Sequence, residues 1–279
     1  MSVCFNCQKK EKNSNEIKKY KMEKNFIYGI DFNIATPFEI LVNDAPVIKY
    51  NEEGSMSGFY PINELLINNK DQEISVRLYS EIGKEFIAED ISKYFSLKLV
   101  LSKDVNFEHF KEIQNIKIPE IIKNTPYIEY KYHFNIEVPY QLEGWINSVD
   151  LTKENKEALL KEVKMYYQKI YGILNKGDYS HYSKIISKRN HEVLVAYYDS
   201  EIIKKEQDEL LERITTAQGK MKPIDFNKYN LKIYGNGRLV TLEDEKGDSP
   251  LFCITEEYED YFGIILYRPA LGAPLEVIR

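Results

Sequence analysis

The spacing of apolar residues changes twice along this chain, and that change restricts the fold more than any other feature. From Phe26 onward apolar side chains fall on every second position (Phe26, Tyr28, Ile30, Phe32, Ile34), the pattern of a half-buried strand. Pro37 interrupts it and Phe38, Ile40 and Val42 resume it; Ile74, Val76 and Leu78, then Leu97, Leu99 and Leu101, repeat it. The most regular stretch is Ile128, Tyr130, Tyr132, Phe134, Ile136 and Val138, with Glu129, Lys131, His133, Asn135 and Glu137 on the opposite face. The period then becomes helical. Leu159, Val163, Tyr166, Ile170 and Ile173 form one stripe, and Tyr179, Tyr182, Ile186, Val193 and Tyr197 a second. The signal continues through Ile203, Leu210 and Ile214, with a break near Asp199-Ser200, and after Pro223 the period returns to two.

Strands, then helices, then strands predict an α+β protein. Short strands separated by turn residues over 26–115 predict an antiparallel β-sandwich-like domain, with 51–58 as a polar loop. Pro119 and Pro126 mark a linker, because proline cannot serve a central ladder. Residues 125–279 then form an α+β domain of helices packed on an antiparallel sheet, and residues 1–25 a disordered N-terminal tether. Asp150 or Thr152 supplies the first helix cap. Gly235-Asn236-Gly237, between two apolar runs, is a hairpin turn. Segments 251–254, 261–267 and 275–278 read as further strands. This order of two helices followed by long antiparallel strands resembles the cystatin-like and nuclear-transport-factor-2-like (NTF2-like) folds, which implies a cone-shaped pocket.

The net charge is −6, and lysines sit beside acids, as in Lys153-Glu154 and Lys161-Glu162. Phosphate backbones need a concentrated basic face, so no nucleic-acid partner is expected; an acidic surface suits a basic protein partner instead. No apolar run reaches the length of a membrane span. The chain has no GxGxxG, GxxxxGK[ST] or GxSxG sequence, and its four histidines form no HExxH. Accordingly no catalytic, cofactor-binding or metal-binding residues, and no cofactor, are assigned. A metal at His181 and His191 would need more ligands than Asp178 and Asp199, which are ordinary helix-end residues. Cys253 reads as a small buried hydrophobe. The acidic run Glu256, Glu257, Glu259 and Asp260 is either a solvated turn or a contact surface for a basic partner. Trp145 plugs the end of the core or, if exposed, anchors a partner.

Two resemblances bear on function. Cys7, followed by the polar tract Gln8-Lys9-Lys10-Glu11-Lys12-Asn13-Ser14-Asn15, resembles the start of a mature bacterial lipoprotein, particularly of the Bacteroidetes kind. That implies a lipid on Cys7 and a tether over 8–25. Asn6 departs from the small residue normally found there, and six residues are too few for a secretory apolar core. Inert terminal cysteines, or a Cys4/Cys7 metal or redox pair, are the other readings. The run from His133 to Tyr140, then Gly144-Trp145, Ser148-Val149-Asp150-Leu151-Thr152 and Gly177-Asp178, is similar to immunity-type proteins that neutralise a secreted bacterial toxin by binding it. This implies a non-catalytic inhibitor whose partner is a toxin or effector domain. It would be periplasmic or anchored at the outer membrane through Cys7, or cytoplasmic if the N-terminus is complete as given. Two alternatives stay open: a small-molecule enzyme of the ketosteroid-isomerase or dehydratase class, with an interior Asp or His beside a Tyr, and a structural surface lipoprotein.

Overall fold

The structure, a computed structural model, describes residues 19–21 and 26–279 except 68–70, 104–107, 199 and 257. Cys4, Cys7 and Glu257 lie outside the described residues. The chain is α+β. Its first half is a sandwich of two sheets. One sheet has the order β1(Lys19–Lys21), β9(Tyr127–Glu137), β6(Asp71–Tyr79), β3(Phe38–Val42), β4(Ala45–Tyr50); the other has the order β5(Met56–Pro61), β2(Ile27–Ile34), β7(Ser96–Ser102), β8(Phe110–Ile116). Pro37 is where the chain leaves the second sheet for the first, since β2 and β3 belong to different sheets. Asn43 and Asp44, both at positive φ, close the two-residue β3–β4 hairpin. The side chains expected to point inward do so: Ile30, Phe32, Ile40, Val76, Leu97 and Phe134 are all buried.

Several expectations change on contact with the sheet pairing. The regular strand 128–138, expected at the head of the second unit, is β9, and it pairs antiparallel with β6 from Asp71↔Asn135 to Tyr79↔Tyr127. Its alternation fixes which faces it shows but carries nothing about which strand it will join, so the sandwich runs past residue 115. The polar 51–58 loop is partly β5, and the Pro-bearing linker contains β8, paired with β7. Both are edge strands, with exposed Ser57 and Phe59 in β5 and exposed Phe110 to Glu112 in β8, so the inside-outside alternation does not show in the sequence. Within the expected tether, Lys19–Lys21 form β1, parallel to β9.

The second half has four helices, α1(Lys156–Asn175), α2(Tyr179–Ile185), α3(Ser187–Tyr197) and α4(Ser200–Ala217). A four-stranded sheet follows, in the order β10(Asn230–Tyr234), β11(Leu239–Glu243), β14(Leu266–Tyr267), β15(Glu276–Val277), with a separate ribbon, β12(Phe252–Ile254) and β13(Glu259–Tyr261). Asn155 caps α1 by accepting from Ala158 N at 2.9 Å, whereas Asp150 caps the short 3-10 turn before it. Leu159, Val163, Tyr167, Ile170 and Leu174 are the buried stripe of α1 and pack with Val240, Leu242, Leu266 and Val277 of the sheet. The expected 261–267 strand is split between β13 and β14, and the four sheet strands are only five, five, two and two residues long.

The two halves share a seam. Val193, Ala196 and Tyr197 of α3, with Tyr234, Leu239 and Trp145, belong to the core of the sandwich. Buried Asn63 ties the halves, accepting from Tyr28 N at 2.7 Å and donating to Ala196 O at 2.9 Å. The β10–β11 turn docks on the β3–β4 hairpin: Gly235 N donates to Asp44 O, and Asn236 N to Asp44 Oδ2, each at 2.8 Å. Gly235 is at φ +60, and a Cβ there would stand 2.6 Å from Leu239 Cγ and 2.8 Å from Trp145 Nε1. Gly235→Ala is therefore expected to lower stability by about 2–3 kcal/mol, from left-handed strain plus overpacking. A denaturant midpoint unchanged from wild type would show that the turn relaxes freely.

Candidate functional site

The surface with the best claim is the tip of the β12–β13 ribbon. Its parity follows from the sequence: Cys253 points inward and is buried, so its neighbours Phe252 and Ile254 take the other face. The turn is held by three hydrogen bonds between two residues. Thr255 N donates to Tyr258 O at 2.9 Å, Tyr258 N to Thr255 Oγ1 at 3.0 Å, and Thr255 Oγ1 to Tyr258 O at 2.8 Å. Phe252 and Tyr261 stack across the ribbon, ring centres 5.2 Å apart. From α4, Arg213 grips Asp260 with Nε and Nη2 at 2.8–3.1 Å, donates to Tyr261 O at 2.8 Å, and lies over the Phe262 ring. On this fixed base Tyr258 is 57% exposed and Ile254 41% exposed.

The acidic run thus divides. Asp260 faces Arg213 and is committed to the scaffold. Glu259 is exposed and accepts from the Tyr261 hydroxyl at 2.5 Å, and Glu256 is exposed at the turn. The outcome is an aromatic and an aliphatic anchor among carboxylates. The acids stand out in the sequence, whereas Ile254 and Tyr258 do not. The strand parity around Cys253, and an aromatic ring set inside an acidic turn, were the signals available.

Trp145 takes the core-plug role: it is 2% exposed, with the Arg279 guanidinium 5.1 Å from its ring centre. His181 Nδ1 lies 2.6 Å from Asp178 Oδ2 at the start of α2, and His133 stands on the exposed face of β9 near Asp71 and Glu73.

Acids also meet tyrosine hydroxyls on both sides of the seam. At the seam, a crevice of about 250 Å³ lined by Arg189, Lys205, Glu206 and Glu209 reaches Glu64, whose carboxylate accepts from the Tyr197 hydroxyl. Glu64 is half-buried; burial pushes its carboxyl above the usual range, with Arg279 pulling the other way. Behind it Arg279 Nη1 meets Glu192 Oε2 at 2.7 Å, both side chains almost fully enclosed, and Glu192 Oε1 accepts from Gly144 N at 2.8 Å. On the other side of the seam Glu39 accepts from the Tyr79 hydroxyl and Glu243 from the Tyr234 hydroxyl, with Lys49 between the two acids. No local motif announces either cluster, because each is assembled from residues scattered along the chain. No family model, characterised protein or solved structure matches this chain, so its function must be read from the arrangement of its own side chains.

Proposed function

We propose that the chain is a binding protein of the immunity type, neutralising a secreted bacterial toxin by direct contact, with the β12–β13 tip as part of the contact surface. The observation that carries this reading is the pair Tyr258 and Ile254, exposed on a braced turn and rimmed by Glu256 and Glu259. Rigid anchors lose little entropy on binding, and a ring of like charge selects an oppositely charged partner and speeds its approach. The partner that fits is a protein with a basic surface. A lipid on Cys7 would hold the inhibitor at a periplasmic membrane face; mass spectrometry of Cys7 from native membranes tests that, and an unmodified thiol rejects it.

The experiment is to co-purify the chain with the toxin-like product of the adjacent gene and measure affinity. Tyr258→Ala with Ile254→Ala is expected to weaken the complex by roughly 30-fold or more, the size of a hot-spot loss. Glu256→Lys is expected mainly to slow association and flatten its salt dependence. A complex whose affinity ignores all three substitutions rules out the tip, and no complex rules out the neutralising role.

One observation favours a second reading, the small-molecule enzyme. Ketosteroid-isomerase or dehydratase chemistry wants an acid beside a tyrosine hydroxyl in a pocket, and Glu64 with Tyr197 at the seam crevice answers that description better than any group on the C-terminal sheet. A cystatin- or NTF2-like relationship would add weight to it, although that fold would place the pocket inside the C-terminal half. Turnover of an enone or a β-hydroxyacyl substrate by the purified protein, lost in Glu64→Gln, would replace the inhibitor reading. A structural surface lipoprotein would show neither binding nor turnover.

A further inference from the structure

We propose that the seam between the sandwich and the second half is a pH-sensitive joint, which closes more tightly in mildly acidic solution as Glu243 takes up a proton. The geometry lies where β3 and β4 face β10 and β11. Lys49 Nζ is 3.5 Å from Glu39 Oε1 and 3.6 Å from Glu243 Oε2. One ammonium therefore serves two carboxylates and holds them within about 7 Å of each other. Both glutamates are 8% exposed, so water screens neither well.

The two acids are not equivalent. Glu39 has a second cation, Arg77 Nη1 at 3.3 Å, and accepts from the Tyr79 hydroxyl at 3.0 Å. Arg77 in turn is shared with Glu129 at 3.0 Å and Asp44 at 3.5 Å. Glu243 has only Lys49 as a cation at ion-pair distance among the described residues; its other partner is the neutral Tyr234 hydroxyl at 3.2 Å, with Lys232 acting from farther off. Enclosed like charges that share too few counter-charges keep a proton at one of the sites. The weaker-served site is Glu243. Burial pushes its carboxyl above the usual range and Glu39 adds to this, while Lys49 and Tyr234 oppose it.

The sign follows from linkage. With the seam open, Glu243 is hydrated and loses its proton near the ordinary glutamate value of 4.5. Closed, it holds the proton to higher pH. Closure is therefore strongest below the ordinary value and weakens as pH rises through the closed-state value. Reporters are built in, because the Gly235 and Asn236 amides donate across the seam to Asp44.

The test is amide exchange of Gly235 and Asn236 in the full chain, corrected for intrinsic rates, between about pH 5 and about pH 8. Wild type is expected to open several-fold more often at the upper pH, where closure no longer gains from holding the proton. Glu243→Gln should remove that dependence, since its amide has no charge to bury. Glu39→Gln, which relieves the like-charge neighbour, should reduce it by a smaller factor and serves if Glu243→Gln folds poorly. Protection that ignores pH in wild type overturns the proposal, as does a pH dependence that survives in either variant at full size.

Discussion

Replacing Glu192 by alanine is expected to lower the stability of the protein by about 3–5 kcal/mol, the cost of stripping one partner from a buried ion pair. Glu192 Oε2 accepts from Arg279 Nη1 at 2.7 Å, with the two side chains 4% and 7% exposed. Without the carboxylate, the acceptors left to the guanidinium among the described residues are the backbone oxygens Ile278 O and Glu64 O. Gly144 N also loses its acceptor, and Gly144 is held at φ +54 against Ile67. Thermal midpoints of chains this long move by roughly 2–4 °C per kcal/mol, so a fall of roughly 6–20 °C is expected by calorimetry. Glu192→Gln keeps an acceptor for Gly144 N and should cost less than alanine. A midpoint within about 2 °C of wild type for the alanine variant would mean that the pair is solvated in the native state.

This pair shows where the sequence stops informing. His191-Glu192 is legible as a helix position, and only His191 of the two enters the metal reading. The residue that gives Glu192 its role is Arg279, 87 positions away, and only the closing of the two halves brings them together. The elements themselves were readable wherever one face is apolar and the other polar, as in β2, β3, β6, β7, β9 and the α1 stripe. Edge strands were harder. β5 reads Met-Ser-Gly-Phe-Tyr-Pro, with Ser57 and the apolar Phe59 on its exposed face and Gly58 on the other, and β8 reads Phe-Lys-Glu-Ile-Gln-Asn-Ile, exposed on both faces over Phe110 to Glu112, so neither shows an apolar alternation. Helix breaks followed the same logic: the break expected near Asp199-Ser200 matches the end of α3 at Tyr197 and the start of α4 at Ser200, Asp199 itself lying outside the described residues, whereas the division between α2 and α3 at Ile186 falls inside a continuous apolar stripe.

Strand partnership was legible only where a turn announced it, as at Gly235-Asn236-Gly237 between β10 and β11. β9 follows a proline-bearing stretch and precedes helices, which suggests membership of the later unit. Its pairing with β6 comes from matched faces: Glu129 stands opposite Arg77, Lys131 beside Glu73, and Ile128 opposite Leu78. Those complementary charges could be recognised only after the register was known. The acidic run Glu256, Glu257, Glu259 and Asp260 is legible in the sequence as a charged turn. The exposed anchors Tyr258 and Ile254, and the commitment of Asp260 to Arg213, required the ribbon.

Trp145→Ala is expected to cost about 3–5 kcal/mol as well, because it empties a site that is 2% exposed in the core joining the two halves. Part of that loss belongs to Arg279, whose guanidinium lies over the indole. A double-mutant cycle isolates the shared part. Arg279→Met retains the volume of the side chain and removes the charge, so its own cost is dominated by the acid it leaves unpaired at Glu192. That cost appears in both arms of the cycle and cancels, leaving the ring–cation coupling, expected at about 0.5–2 kcal/mol. Unfolding in denaturant supplies all four free energies, and a coupling near zero would assign Trp145 to packing alone. The same variants bear on binding. A tryptophan acting as a contact anchor would lose affinity in Trp145→Phe in proportion to the ring removed. A buried plug predicts that any Trp145 variant that remains folded binds the partner as wild type does, while Tyr258→Ala binds weakly and melts as wild type does. Reversal of that pattern would move the contact surface from the ribbon tip to the seam.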